Sequence, residues 1–136
     1  VIEVAVKTIG GAHAGLSALV GSGATSRIYA GQAPQNATLP YVVFVKDGAF
    51  RPVAAIYVNS GWGHSDITFE CHASTLKAAK ELMLQVRAAY DRYFGTSEGV
   101  QIDPIGTLAT GGGGEDYEFD LDHHVVEEEI TFFHTE

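Results

Sequence analysis

Two prolines six residues apart, Pro34 and Pro40, limit what the front half of this chain can become. Each holds φ near about −65° and pushes the residue before it toward extended backbone. The stretch between them, Gln35-Asn36-Ala37-Thr38-Leu39, is mostly polar and suits a surface loop. Directly after Pro40 comes Tyr41-Val42-Val43-Phe44-Val45, whose β-branched and aromatic side chains are those of a buried strand. Upstream, Leu16 to Val20 followed by Gly21 reads as a helix stopped at a glycine. Arg27-Ile28-Tyr29 then reads as a short extended segment.

The rest of the chain supplies a sheet and a second helix. In Ile67-Thr68-Phe69-Glu70-Cys71-His72-Ala73 the odd positions are apolar and the even ones polar, the period of a strand with one buried face. Val126, Ile130 and Phe132 repeat the pattern near the end of the chain, opposite Glu127, Glu129, Thr131 and Phe133. The strands expected are residues 41–46, 53–58, 66–73, 117–121 and 125–134. A helix is expected over Thr75 to Phe94 with Ser74 as its N-cap. Its Leu76, Ala79, Met83, Val86, Tyr90 and Tyr93 form one apolar stripe at three- and four-residue steps. Ile2 to Val20 reads as a helix weakened at Gly10-Gly11, either kinked or split in two. The fold class expected is α+β: a single domain over residues 1–136, an antiparallel sheet of four to five strands packed by the long helix and the N-terminal helix.

An ordered set of motifs runs through this outline. A helix closes in Leu19-Val20-Gly21, then come Arg27-Ile28-Tyr29, the Pro34-Gln35 loop and Pro40-Tyr41-Val42-Val43-Phe44. An alternating strand leads into an alanine-rich helix, and Asp116-Tyr117-Glu118 precedes a closing strand. Together these resemble the tail-completion (tail-terminator, head–tail joining) proteins of long-tailed bacteriophages, over nearly the whole chain. The resemblance implies a structural virion protein with no catalytic role and no cofactor. It implies a homo-oligomeric ring, commonly a hexamer, that ends the tail tube and joins it to the head connector. The implied partners are the tail tube protein and the connector or neck proteins, with DNA passing through without specific binding and no membrane involved. The implied location is the tail or neck of the virion, assembled in the host cytoplasm. Another neck component, an adaptor or stopper, is the alternative within the same class.

Composition and charge bear on the rival classes. The net charge is −9, and its source is local: residues 1–114 hold all eight Lys and Arg and eight acids, whereas residues 115–136 hold nine acids and no Lys or Arg. A surface of that kind opposes tight phosphate binding, which needs clustered cations. The block is either a solvated face or a surface turned toward something specific. Cys71 is the sole cysteine, so no intrachain disulfide forms, and its place in the alternating run suits a buried, inert thiol. No apolar run approaches the roughly 20 residues of a membrane-spanning helix, and no basic segment leads into an apolar one as a signal peptide requires.

Three constellations could carry chemistry. His123-His124 with Asp120 and Asp122 has metal-competent side chains, but neighbours on a strand face opposite ways, so no metal site is assigned. A metal-dependent or acid/base enzyme, or a small-ligand-binding α+β domain, would need a pocket around these residues and the terminal acids. His64-Ser65-Asp66 lacks the Gly-x-Ser-x-Gly elbow of a hydrolase. The glycine-rich stretches at 59–63 and 111–114 lack the Lys-Ser/Thr ending of a phosphate loop and read as loop or hairpin tips. Trp62 between glycines and Phe50-Arg51 are of the types that anchor protein interfaces. Residues 47–65 therefore read as a contact loop. The candidate partner contacts are Phe50, Arg51, Trp62, Glu127 and Glu129.

Overall fold

The computed structural model describes residues 1–55, 58–104, 107–111, 114–118 and 123–135. Its elements are α1 (Ile2–Ala12), α2 (Ala14–Val20), a 3-10 turn (Gly23–Thr25), β1 (Ile28–Ala30), β2 (Tyr41–Ala55), β3 (Val58–Ala73), α3 (Leu76–Tyr90), β4 (Gly95–Ser97), β5 (Val100–Ile102), β6 (Leu108–Gly111), β7 (Glu115–Glu118) and β8 (His123–Thr135). The fold is a single mixed α/β unit with one curled sheet, in the order β1-β2-β3-β8-β5-β4, with β6 and β7 also pairing to β8.

Strand β3 is central. It pairs antiparallel with β2 from Tyr41↔His72 to Ala55↔Val58, and antiparallel with β8 from Ala73↔His124 to Trp62↔Thr135. The outer edge of β8 is covered in series by β7, β6 and β5, which meet it at Val125, Ile130 and His134 respectively. The edge strand β1 pairs parallel with β2.

The alternation is realised as expected: Ile67, Phe69, Cys71 and Ala73 of β3 and Val126, Ile130 and Phe132 of β8 are buried against the helices. Helix α3 lies over them and buries Ala79, Leu82, Met83, Val86, Ala89 and Tyr90, with Leu76 and Tyr93 partly buried at either end of the stripe. Tyr90 stacks on Phe69 at 4.9 Å between centroids and meets Phe132 edge-on at 5.9 Å. The helix starts one residue later than the sequence suggests and ends at Tyr90, not Phe94, so Tyr93 of the expected stripe lies beyond it. Thr75, not Ser74, is the N-cap, its side chain accepting from the Ala78 amide at 3.1 Å.

Three other readings change. The expected strand at 53–58 is the end of a hairpin, since β2 runs to Ala55 and β3 begins at Val58. Residues 59–63 belong to β3 rather than to a flexible tip, with Gly61 (φ 81°) at the irregularity where Val53↔Trp62 gives way to Ala54↔Asn59. The sheet has more strands than expected because β4, β5 and β6 are only three or four residues long. Such short strands carry too few residues for a period to be read. Of the strand expected at 117–121, residues 119–121 lie outside the described residues.

The N-terminal helix is split in two, though not at its glycines. The break falls at His13 (ψ 122°), whose Nδ1 accepts from the Leu16 amide and caps α2. Gly10 is needed for packing instead. A Cβ there would collide with the Tyr90 hydroxyl and lie 2.7 Å from Ile28 Cδ1. That hydroxyl donates to the Val6 carbonyl at 2.7 Å, so the bare backbone at Gly10 lets α1 seat on α3.

The motifs at the front of the chain are explained by Arg27. Its Nε donates to the Pro40 carbonyl and its Nη2 to the Leu19 carbonyl, each at 2.9 Å. One guanidinium thereby ties the end of α2 to the start of β2, while Ile28 is fully buried beside it. Leu39-Pro40 is a cis peptide.

Gly10→Ala is expected to destabilise the protein. Overpacking a filled site costs typically about 1–3 kcal/mol, more than the roughly 0.5–1 kcal/mol that alanine gains over glycine in a helix. Thermal melts should show the loss, and it should shrink in a Tyr90→Phe background, where the colliding hydroxyl is gone. Equal losses in both backgrounds would contradict this account of Gly10.

Candidate functional site

Because β3 pairs on both sides, the residues facing away from the helices line up in rows across β2, β3 and β8. The rows are Tyr41–His72–Val125, Val43–Glu70–Glu127, Val45–Thr68–Glu129, Asp47–Asp66–Thr131, Arg51–His64–Phe133 and Val53–Trp62–Thr135. Between Asp47 and Arg51 the register shifts by a bulge containing Gly48 (φ 72°), and the extra residues come in a pair, so Arg51 returns to the same face.

Four of the five candidate contact residues, Arg51, Trp62, Glu127 and Glu129, thus share one sheet face. Phe50 does not. It points to the helix side, where its ring lies 5.1 Å from that of His134. The expectation of a contact loop over 47–65 is also corrected, since this segment is strand apart from residues 56–57, which lie outside the described residues. Trp62 is a half-buried strand residue against Phe133, 5.2 Å between centroids, not a loop-tip side chain.

The face is acidic at a cost to its own sheet. Asp47 stands directly across from Asp66, and Glu70 directly across from Glu127. Like charges at opposed positions are destabilising. Glu70 of the second pair lies 3.3 Å from His72 Nε2, and the first pair is also compensated locally. Arg51 donates to both oxygens of Asp66, at 2.7 and 3.2 Å, Thr131 Oγ1 donates to Asp66 at 2.7 Å, and Thr68 Oγ1 donates to Asp47. The Arg51 hydrogen bond holds the Asp66 carboxyl below the usual carboxylate range, against partial burial that acts the other way.

The acids of residues 115–136 do not all belong to this face. Glu128 points to the helix side and accepts from Arg87 Nε at 2.6 Å, and Glu115 meets Lys80 at 2.7 Å. The cations of α3 therefore take up part of the acidic block, leaving Glu127 and Glu129 on the outer face. Asp120, Asp122 and Glu136 lie outside the described residues.

The remaining candidate chemistry separates in space. Ser65 is buried on the helix side and bonds His134 Nε2 at 2.8 Å, while His64 and Asp66 are on the other face. His123 and His124 face opposite ways: His123 lies 2.8 Å from His72 and His124 beside Tyr117. Cys71 is buried and its thiol pushed up by that burial, as an inert thiol should be. Among the described residues no three His, Cys, Asp or Glu side chains converge as metal ligands. Sequence reasoning missed Asp47, Asp66 and Glu70 as members of the acidic face. The alternation at 67–73 does place Glu70 on the polar side, but which strands flank it was not legible.

The family described as tail completion protein gp17 matches residues 8–126. The chain belongs to this family. As a tail completion protein it is a structural, virion-associated component of a phage-like tail. A solved structure titled "Virion of native gene transfer agent (GTA) particle" contains a similar fold, with a TM-score of 0.73 and 15% identity, covering 97% of this chain and 92% of that one. No curated protein matches the chain. Among the described residues no helix is long and apolar enough to cross a membrane.

The buried histidine near the hairpin gives a pH test of the fold. Burial lowers the His134 pKa below its ordinary 6.5, opposed by its hydrogen bond to the Thr135 carbonyl. A histidine depressed in the folded state favours folding above the unfolded pKa and loses that contribution as pH falls. Thermal midpoints should therefore drop as pH falls below about 6.5, and less steeply in His134→Gln. Parallel profiles for the two proteins would exclude His134 as a source of the acid sensitivity.

Proposed function

We propose that this tail completion protein forms a homo-oligomeric ring, commonly sixfold in its kind, that ends the tail tube and joins it to the neck connector. Its acidic sheet face is turned to the passage through which DNA moves. The tail tube protein and the connector are the partners, and no cofactor or catalytic group takes part.

The observation that carries the reading is the pairing of acids on the outer face. Glu70 opposite Glu127 and Asp47 opposite Asp66, with Glu129 beside them, gather negative charge on one face, where the described cation of the six rows is Arg51. A negative wall repels a polyanion at a distance and so lets it slide past without being held. Family membership supplies the setting, and the structural neighbour's origin in a virion particle agrees with it.

Replacing Glu127 and Glu129 with Lys tests which way the face is turned. If it lines the passage, the ring should form and join, but the particles should retain DNA or eject it slowly. If it meets a basic partner, joining itself should fail. Either effect should weaken with added salt, since the Debye length falls from about 10 Å at 0.1 M to about 3 Å at 1 M. Normal joining and normal ejection in the double variant would reduce the face to a solvated surface.

Trp62 supports the contact role at the other end of the same face. Trp62→Ala should weaken ring assembly or tail joining by about 2 kcal/mol or more if the indole is an anchor, while the isolated chain still melts cooperatively. Unchanged oligomer size by light scattering, together with normal particle yield, would remove Trp62 from the interface.

A further inference from the structure

Beneath the 31–39 loop lies a cleft of about 640 Å³, lined by that loop and by Tyr41, Val43, Glu70, His72 and His123. Two imidazoles meet at its floor. His72 Nδ1 and His123 Nε2 are 2.8 Å apart, from positions 51 residues apart in sequence, and the residues are only 7% and 3% exposed. Tyr41 stacks on His72 at 4.6 Å with 15° between planes, which fixes the plane of that ring. On the far side of the same ring, His72 Nε2 lies 3.3 Å from Glu70 Oε1.

In the tautomer in which His72 Nε2–H donates to Glu70, Nδ1 of His72 presents a lone pair, and the proton between the two rings comes from His123 Nε2. Moving that one proton to His123 Nδ1 leaves a lone pair on His72 Nδ1 and another on His123 Nε2, both on neutral rings at the floor of the cleft. A histidine that donates its outer N–H to a carboxylate while its inner nitrogen is a base has the outer-shell pattern of a metal ligand. Buried imidazole pairs select borderline ions such as Zn²⁺ over oxygen-seeking ones such as Mg²⁺.

We propose that His72 Nδ1 and His123 Nε2 bind one divalent transition-metal ion of the zinc class. The ion takes the place of the shared proton, which moves to His123 Nδ1 so that both ligands are neutral imidazoles, and its remaining positions are filled by water in the cleft. Two Zn–N bonds of about 2.0–2.1 Å meeting near the tetrahedral angle need nitrogens roughly 3.3 Å apart. The pair must therefore open by about half an ångström, a small rotation of rings at the edge of a cleft. Two protein ligands make this an exchangeable site and not a folding metal. The ion would brace β3 and β8 at the end of the sheet where the 31–39 loop crosses. The proposal is independent of ring formation, since its probes act on the isolated chain.

The test is a titration of chelator-treated, tag-free protein with Zn²⁺, with Mg²⁺ as the control. Zn²⁺ should raise the melting midpoint with a stoichiometry of one per chain, and Mg²⁺ should not. The effect should vanish in His72→Gln and in His123→Gln, and Glu70→Gln should weaken affinity by about 10–100-fold. Should either histidine variant misfold, the unmodified protein still decides the matter by histidine ¹⁵N resonances. Zn²⁺ should shift those of His72 and His123 before those of His13, His64 or His124. Shifts confined to these last three would mean an adventitious ion only, and that result, or no response at millimolar Zn²⁺, overturns the proposal.

Discussion

Strand β3 is hydrogen-bonded along both edges, and this constraint organises the molecule. With β2 on one side and β8 on the other, each β3 residue is assigned to the helix face or to the outer face. A slip of one residue would move Ile67, Phe69 and Cys71 to the outside and bring Thr68 and Glu70 under α3. Burying unpaired carboxylates there is far costlier than any gain available elsewhere in the sheet. The register is thus locked by chemistry on both faces, and the same lock that builds the aromatic core under α3 gathers the acids on the other side.

The contrast between the two faces explains where the charge of the chain goes. On the helix side, carboxylates at Glu128 and Glu115 are met by Arg87 and Lys80. On the outer side the described cation of the six rows is Arg51, and it is committed to Asp66 in a bidentate pair. Exposed ion pairs of this kind contribute little to stability. Their effect here is to decide which acids remain to shape the field of each face. That distribution, and not the net charge, is what a partner or a passing polyanion meets.

How much of this was legible in the sequence depended on the length over which a pattern repeats. The alternation at 67–73 and the stripe of α3 extend over several periods, and both faces came out as read. Strands β4, β5 and β6 were missed because three or four residues carry no usable period. Trp62 was misplaced because flanking glycines usually signal a loop, whereas here Gly61 serves an irregularity within a paired strand, and a Cβ at Gly63 would press on Phe50 and the Arg51 backbone. Gly10 was read for its helix propensity when its role is set by Tyr90, 80 residues away in the chain. Family resemblance, by contrast, needed only the order of short motifs, and that order survives where pairing cannot be inferred.

The same distinction applies to the acidic face. Glu127 and Glu129 could be placed together from their own strand, since two residues on one strand share a face by period alone. Their neighbours Glu70 and Asp66 come from a strand some 60 residues earlier, and only the antiparallel pairing of β3 with β8 brings them alongside. His72 and His123 meet for the same reason, and no spacing along the chain could have suggested it. What the fold adds to the sequence is therefore a set of cross-strand encounters. In this protein the informative ones are acid beside acid on the outer face and the hydrogen-bonded imidazole pair at its end.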